Sequence, residues 1–212
     1  AGTGSYVFTN DVPPNKIGQS LLLFNGDTGI AIANSSINDA AYTNTFDEGL
    51  TNAMTVALWA KGWPSGWNPF VSKFGEGPGW QLRNDGNNNV SPCWTVRGIG
   101  TNSFVTLGTV VYNNPEDLAA TGFTFGNDGT WHLYVGTFDA ATGIVNLYVD
   151  GALGASAVSN GVYNVSSDSH LCIGARDAHG TPGNYFTGEV YDVRVYNYAV
   201  SAVTVSNWYG VI

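Results

Sequence analysis

DGTWHLYVGTFDAATGIVNLYVD, residues 128–150, followed by Gly151, reads as strand, turn, strand, turn. Trp131, Leu133 and Val135 alternate with His132, Tyr134 and Gly136, and Val145, Leu147 and Val149 alternate with Asn146, Tyr148 and Asp150. This is the period-two pattern of strands that present two different faces. Ala141-Thr142-Gly143 reverses the chain between them, and Asp150-Gly151 is a hairpin signal into a third strand.

The same rhythm extends outward. Tyr6-Val7-Phe8 before Pro13-Pro14 reads as an N-terminal edge strand and a rigid connection. Beyond Leu21, short strand-like runs alternate with Gly, Asn and Pro clusters, and no helical period interrupts them before Ser201, which is placed to cap a short helix through Val205. Asn84 to Asn89 reads as a hairpin tip, and Asn113 to Phe125 as an insertion loop that breaks the rhythm. With 212 residues, 43% of them hydrophobic, and no internal repeat or linker, the expectation is one domain over residues 1–212. Its class is all-β: a two-sheet antiparallel jelly-roll sandwich of about fourteen strands with one short C-terminal helix.

Composition narrows the partners. Seven Lys and Arg against sixteen Asp and Glu give a formal charge of −9, which lacks the basic footprint of a nucleic-acid binder. No run approaches the roughly 18 apolar residues of a membrane span, so membrane insertion is not expected. The chain begins at Ala1 with no Met, and sequons stand at Asn34, Asn89 and Asn164, which together suggest a secreted glycoprotein. Cys93 and Cys172, an even count in apolar strand-like contexts, are expected to form a disulfide, with two buried thiols on separate strands as the alternative. His132, His170 and His179 show no zinc-ligand spacing.

Three blocks of sequence carry a family resemblance. Asp128-Gly129-x-Trp131-His132 with Leu147-Tyr148-Val149-Asp150-Gly151 resembles the laminin-G-like, concanavalin A-like jelly rolls. Residues 173–202, with Tyr-Asp-Val-Arg-Val-Tyr-Asn at 191–197, are similar to that family's closing strand and tail helix, and residues 23–32 and 54–61 to its early strands. The resemblance covers roughly residues 21–208. It implies the sandwich fold and a structural calcium, to which Asp192 would contribute beside the Gly26 carbonyl and Asp27. Asn25-Gly26-Asp27-Thr28-Gly29 independently offers the sharp turn and oxygen donors that a hard cation takes. Pairing of Asp192 with Arg194, or capping of a bulge, is the alternative.

The family includes lectins, adhesion modules and polysaccharide enzymes, so the chemistry must be read from the site. A glycoside hydrolase needs two carboxylates roughly 5 to 10 Å apart, which a single strand can supply from alternate positions. Among the twelve Asp and four Glu no two lie at i, i+2 or i, i+4, and no nucleophile elbow or phosphate loop is present. A catalytic set assembled from separate strands stays open.

Aromatic and polar residues instead concentrate in loops at 63–67, 74–80 and 176–185. Trp and Tyr faces cover the C–H patches of a sugar ring, and Asp, Asn, Glu and Arg bond its hydroxyls. The candidate saccharide contacts are Trp67, Glu76, Trp80, Arg83, Asp177, His179, Asn184 and Tyr185. Trp59, Trp94 and Trp131 read as core residues, and core burial competes with the sugar reading for Trp67 and Trp80 as well. The resulting expectation is a secreted, calcium-supported carbohydrate-binding protein, a lectin or carbohydrate-binding module, whose partners are glycans or polysaccharide. A polysaccharide hydrolase or lyase and an adhesion or cell-wall module are the alternatives, and agglutination would require a homo-oligomer or repeated sites.

Overall fold

The structure, a computed structural model, describes residues 6–23, 29–32, 53–62, 67–74, 79–84, 92–99, 104–111, 129–158, 169–178 and 181–210. The early strands are β1 (Tyr6–Thr9), β2 (Ser20–Leu23), β3 (Ile30–Ile32), β4 (Ala53–Lys61), β5 (Pro69–Phe74), β6 (Gly79–Asn84), β7 (Pro92–Ile99) and β8 (Phe104–Val111). After these come β9 (Trp131–Asp139), β10 (Ile144–Val149), β11 (Ala152–Val158), β12 (Leu171–Ile173), β13 (Arg176–Ala178), β14 (Thr181–Gly183) and β15 (Gly188–Tyr196), closed by helix α1 (Ala202–Gly210). A seven-stranded sheet runs β1-β2-β15-β4-β9-β10-β11, a six-stranded sheet runs β3-β12-β5-β6-β7-β8, and β13-β14 form a small hairpin. Among the described residues the strands of the two large sheets pair antiparallel. The chain is the jelly-roll sandwich its alternation predicts.

The decisive stretch folds as read. β9 and β10 pair from Asp139–Ile144 to Tyr134–Val149. Asp150 and Gly151 turn the chain with φ of 51° and 82°, the left-handed pair that a tight hairpin into β11 requires. The Asp150 carboxylate pins this turn by accepting the Leu133 amide at 2.9 Å, with His132 Nδ1 at 2.7 Å from its other oxygen.

The main core lies between the sheets. Met54, Val56 and Leu58 of β4, Tyr134 and Phe138 of β9, and Val145 and Leu147 of β10 meet Phe70, Trp80, Leu82 and Trp94 from the facing sheet. The other face of the seven-stranded sheet is apolar too: Ala57, Trp59, Leu133, Val135 and Tyr148 pack with Val200 and Val205. That second apolar face is why the fold needs α1. The Ser201 hydroxyl accepts the Thr204 amide at 3.2 Å, the N-cap expected of it, and the helix continues past Val205 to Gly210.

Two expectations change. Cys93 and Cys172 are buried thiols that no disulfide joins. They sit on β7 and β12, which the strand order separates by β5 and β6. Three strand spacings amount to about 14 Å, twice the roughly 7 Å that a disulfide tolerates between Cα atoms. Burial, with the Asp177 charge adding to it, pushes the Cys172 thiol up to about 12. Trp80 has no exposed surface and packs 6.1 Å from the Trp94 ring, so it is a core residue and not a sugar contact. The insertion loop read at Asn113 to Phe125 and the sequons at Asn34, Asn89 and Asn164 lie outside the described residues.

Candidate functional site

The end of the sandwich where β5 starts and β6 finishes gathers four of the predicted contacts. Trp67 precedes β5 and keeps 43% of its surface exposed. Arg83, near the end of β6, is only 5% exposed, and its guanidinium carbon lies 4.5 Å from the centre of the Trp67 ring. A nearly buried cation therefore lies over one face of a partly exposed indole. Burial of the guanidinium strengthens its attraction to the ring quadrupole, because little water remains to screen it.

Hydrogen bonds fix this platform from behind. Arg83 Nη1 donates to the Asn84 carbonyl at 2.6 Å, and the Asn84 amide donates to the Asn68 carbonyl at 3.4 Å. The Asn68 side-chain amide in turn donates to the Tyr185 carbonyl at 2.6 Å. Asn68 thus ties the Trp67 turn to the loop between β14 and β15. In that loop Asn184 is exposed with φ of 52°, a left-handed conformation that Asn tolerates better than most residues. Trp67, Arg83, Asn184 and Tyr185 are consequently neighbours through one linked backbone.

Asp177 belongs elsewhere. It is fully buried on β13, and one carboxylate oxygen accepts the His170 amide at 2.6 Å while His170 Nδ1 lies 2.5 Å from the same oxygen. Its role is to anchor the start of β12 against the small hairpin, and no sugar reaches it. Glu76 and His179 lie outside the described residues.

Of the residues expected to hold calcium, only Asp192 is described, and it is engaged by a neighbouring cation. Asp192, at a bulge in β15 with φ of 54°, directs both carboxylate oxygens at Arg194: Nε donates to Oδ1 at 2.9 Å and Nη2 to Oδ2. A guanidinium occupying both oxygens leaves the carboxylate's charge already neutralised. Gly26 and Asp27 lie outside the described residues. Among the described residues no group of three or more His, Cys, Asp and Glu side chains could hold a metal. No described helix is long and apolar enough to cross a membrane.

A second aromatic feature lies on the outer face of the seven-stranded sheet. Pro14, Trp59, Trp131 and Tyr209 line a hollow of about 170 Å³ between the N-terminal loop and α1. Sequence reasoning assigned Trp59 and Trp131 to the core and passed over Tyr209. The available signal was that Trp208-Tyr209 continues an apolar face beyond Val205 in a helix otherwise read as ending there.

Two antiparallel sheets with a closing helix, an indole backed by a buried arginine at one end and an aromatic hollow under the helix define a concanavalin A-like sandwich with ligand-sized aromatic surfaces. The family model described as the Concanavalin A-like lectin/glucanases superfamily matches residues 24–206, and the chain belongs to that family. No curated protein matches the sequence closely enough to count as a relative.

Solved structures share the fold at low identity. The CBM40 of the Ruminococcus gnavus IT-sialidase superposes with a TM-score of 0.62 at 14% identity, covering 90% of this chain and 96% of that one. The same CBM40 has been solved bound to alpha2,3 sialyllactose. Domain 4 of AbnA, a GH43 extracellular arabinanase from Geobacillus stearothermophilus, in complex with arabinotriose, superposes at 0.58 with 16% identity over 96% of this chain and 81% of that one. The binding domain of Paraclostridial Mosquitocidal Protein 1 superposes at 0.64 with 11% identity over 99% of this chain. This chain spans 46% of that domain.

Proposed function

We propose that the protein binds carbohydrate, without cleaving it, on the platform of Trp67, Arg83, Asn184 and Tyr185. The observation that carries this reading is the half-exposed indole of Trp67 backed by the buried Arg83 guanidinium at 4.5 Å. A sugar ring presents weakly positive C–H groups on one face and hydroxyls around its edge. The exposed part of the Trp67 indole suits the first, and the exposed Asn184, in the loop that Asn68 ties to the Trp67 turn, suits the second. Solved neighbours of the same fold bind sialyllactose and arabinotriose, which supports a glycan as the ligand class. An extracellular location belongs to the proposal and is supported by the three sequons. Calcium, if it assists, falls to Gly26 and Asp27 rather than Asp192.

A glycan array probed with the intact chain and with Trp67→Ala tests the reading. Wild-type protein binds a defined subset of glycans, and the variant loses at least about tenfold in affinity for them while its unfolding midpoint stays unchanged. Equal binding by the two proteins removes the platform from the proposal. Repeating the array with chelator isolates calcium: unchanged binding removes the metal from the reading and leaves the platform intact.

A further inference from the structure

We infer that β1 is a dimerisation edge, at which a second copy of this chain adds antiparallel and joins the two seven-stranded sheets into one. The inference stands apart from the glycan reading, since it uses neither Trp67 nor a sugar.

In the two large sheets, four described strands have a described neighbour on one side only: β1 and β11 in one sheet, β3 and β8 in the other. An unpaired edge offers its N–H and C=O groups to another chain unless it is short, bulged, charged or covered. β11 carries an extra residue, Gly154, between the partners of Leu147 and Tyr148, and β8 carries an extra residue, Leu107, between the partners of Val96 and Arg97. β3 has three residues. β1 pairs from Tyr6–Leu23 to Thr9–Ser20 with no shift of register, and residues 1–10 hold no charge and no proline. Apart from its length of four residues, nothing in β1 discourages pairing.

The side chains agree with the backbone. Tyr6, Val7 and Phe8 are 51%, 43% and 61% exposed, so the strand is bare on both faces. Register puts Tyr6 and Phe8 on the face that Leu21 turns into the core, where the two rings meet edge to face at 6.4 Å. Val7 lies on the opposite face, beside Leu22. Contiguous exposed apolar side chains of this kind mark a contact surface, whereas single ones do not.

Register also selects the occupant. Two identical antiparallel strands related by a two-fold axis set residues of the same face opposite one another. With the axis at Val7, Val7 meets Val7 of the second copy while Tyr6 meets its Phe8 and Phe8 its Tyr6. All three apolar residues then find apolar partners, and four rings gather on one face as favourable cross-strand pairs. An axis at Phe8 would set Val7 against Thr9, and an axis at Tyr6 would set Phe8 against Gly4. Copies of a chain with charge −9 repel one another, and the uncharged edge is where two can approach. Four residues a side fall well short of the roughly 1,200 Å² of a stable interface, so the dimer is weak and forms between about 0.1 and 1 mM. Two Trp67 platforms on one dimer would gain avidity on a multivalent glycan surface.

Sedimentation velocity of the full chain from about 10 µM to about 1 mM, in low and high salt, tests the edge. The sedimentation coefficient rises with concentration, and rises further in high salt, which screens the repulsion between copies. Val7→Lys sets two like charges face to face and abolishes the rise. Under mild oxidation Val7→Cys gives a disulfide-linked dimer, because directly opposed Cβ atoms stand about 5 Å apart, while Leu153→Cys on β11 gives none. These substitutions fall on exposed side chains, and unchanged unfolding midpoints confirm that the fold is kept. A coefficient flat up to about 1 mM overturns the inference, as does an undiminished rise in Val7→Lys, which places the contact on another face. A flat coefficient with Tyr6 and Phe8 resonances shifted by phosphatidylcholine vesicles overturns it in favour of a lipid surface. No sugar enters the experiment, so loss of the dimer leaves the platform untouched, and equal array binding by Trp67→Ala leaves the dimer untouched.

Discussion

The Trp94 indole of the six-stranded sheet lies against the backbone of Gly136 in the seven-stranded sheet, so closely that a Cβ at 136 would come within 2.3 Å of its Cδ2. The indole N–H reaches past it to donate to the Thr137 carbonyl at 3.1 Å. The spacing of the two sheets here leaves no room for a side chain at position 136. Gly136→Ala must displace a fully buried Trp94 or part the sheets, either of which costs roughly 1 to 3 kcal/mol. Urea unfolding checks this through a lower midpoint at unchanged slope, and an unshifted midpoint contradicts the packing.

The thiols make a second prediction. Cys93 and Cys172 are buried and not joined by a disulfide, and the Cys172 thiol is pushed up to about 12, so almost none of its thiolate exists at neutral pH. Native protein should react with neither Ellman's reagent nor iodoacetamide over the time in which denatured protein releases both thiols. Fewer than two titratable thiols after denaturation without reductant would restore the disulfide.

Arg83 separates charge from shape at the platform. Arg83→Lys keeps the positive charge but loses the planar guanidinium and its Nη1 bond to Asn84. The lost contact is worth about 0.5 to 2 kcal/mol, so glycan affinity should fall by roughly 2- to 30-fold, by a faster off-rate. Isothermal titration against a glycan selected on the array measures it, and equal affinity means that the cation does not shape the Trp67 surface.

Much of the sandwich is legible in the chain because the seven-stranded sheet announces itself. Its β9 and β10 alternate residue by residue between two apolar layers, Tyr134 and Phe138 toward the inter-sheet core and Leu133 and Val135 toward α1, and Asp150-Gly151 carries the backbone signature of its turn. The candidate site is legible only in part. In β6 every residue is buried, so the alternation of Trp80 and Leu82 with Gln81 and Arg83 does not announce which face meets water. Trp80 points into the core, and Arg83 points outward yet ends beneath Trp67. No local spacing relates those two residues, since the contact is made by the β5–β6 register and the turn before it. Asp177, attractive as a loop acid, is consumed by the His170 amide, a partner set by tertiary packing. Trp59 reads as core and is buried in the apolar layer under α1, with Trp131 partly buried against the same layer.

Asp11 gives the closing prediction, because it fastens the N-terminal loop over the hollow. One oxygen accepts the Trp131 indole N–H at 3.0 Å, and the other takes the Lys61 ammonium, which also stands 3.4 Å from Glu189. The Lys61 hydrogen bond, and after it the one from Trp131, hold the carboxyl below its ordinary value of 3.8. A carboxyl depressed in the folded state stabilises the fold above its unfolded value. That contribution is lost as pH falls through the lower, folded value, because the unfolded chain then binds the proton more readily. With 44% of the Asp11 side chain exposed, solvent screens the pair, and the effect belongs to the loop rather than to global stability. The Trp131 indole resonance should therefore hold steady from neutral pH down to about 3.8 and move below it, whereas in Asp11→Asn it should sit at a shifted position with no acid titration. Coincident acid profiles for the two proteins would show that the loop is not fastened this way in solution, and with it would go the fixed wall on which the hollow depends.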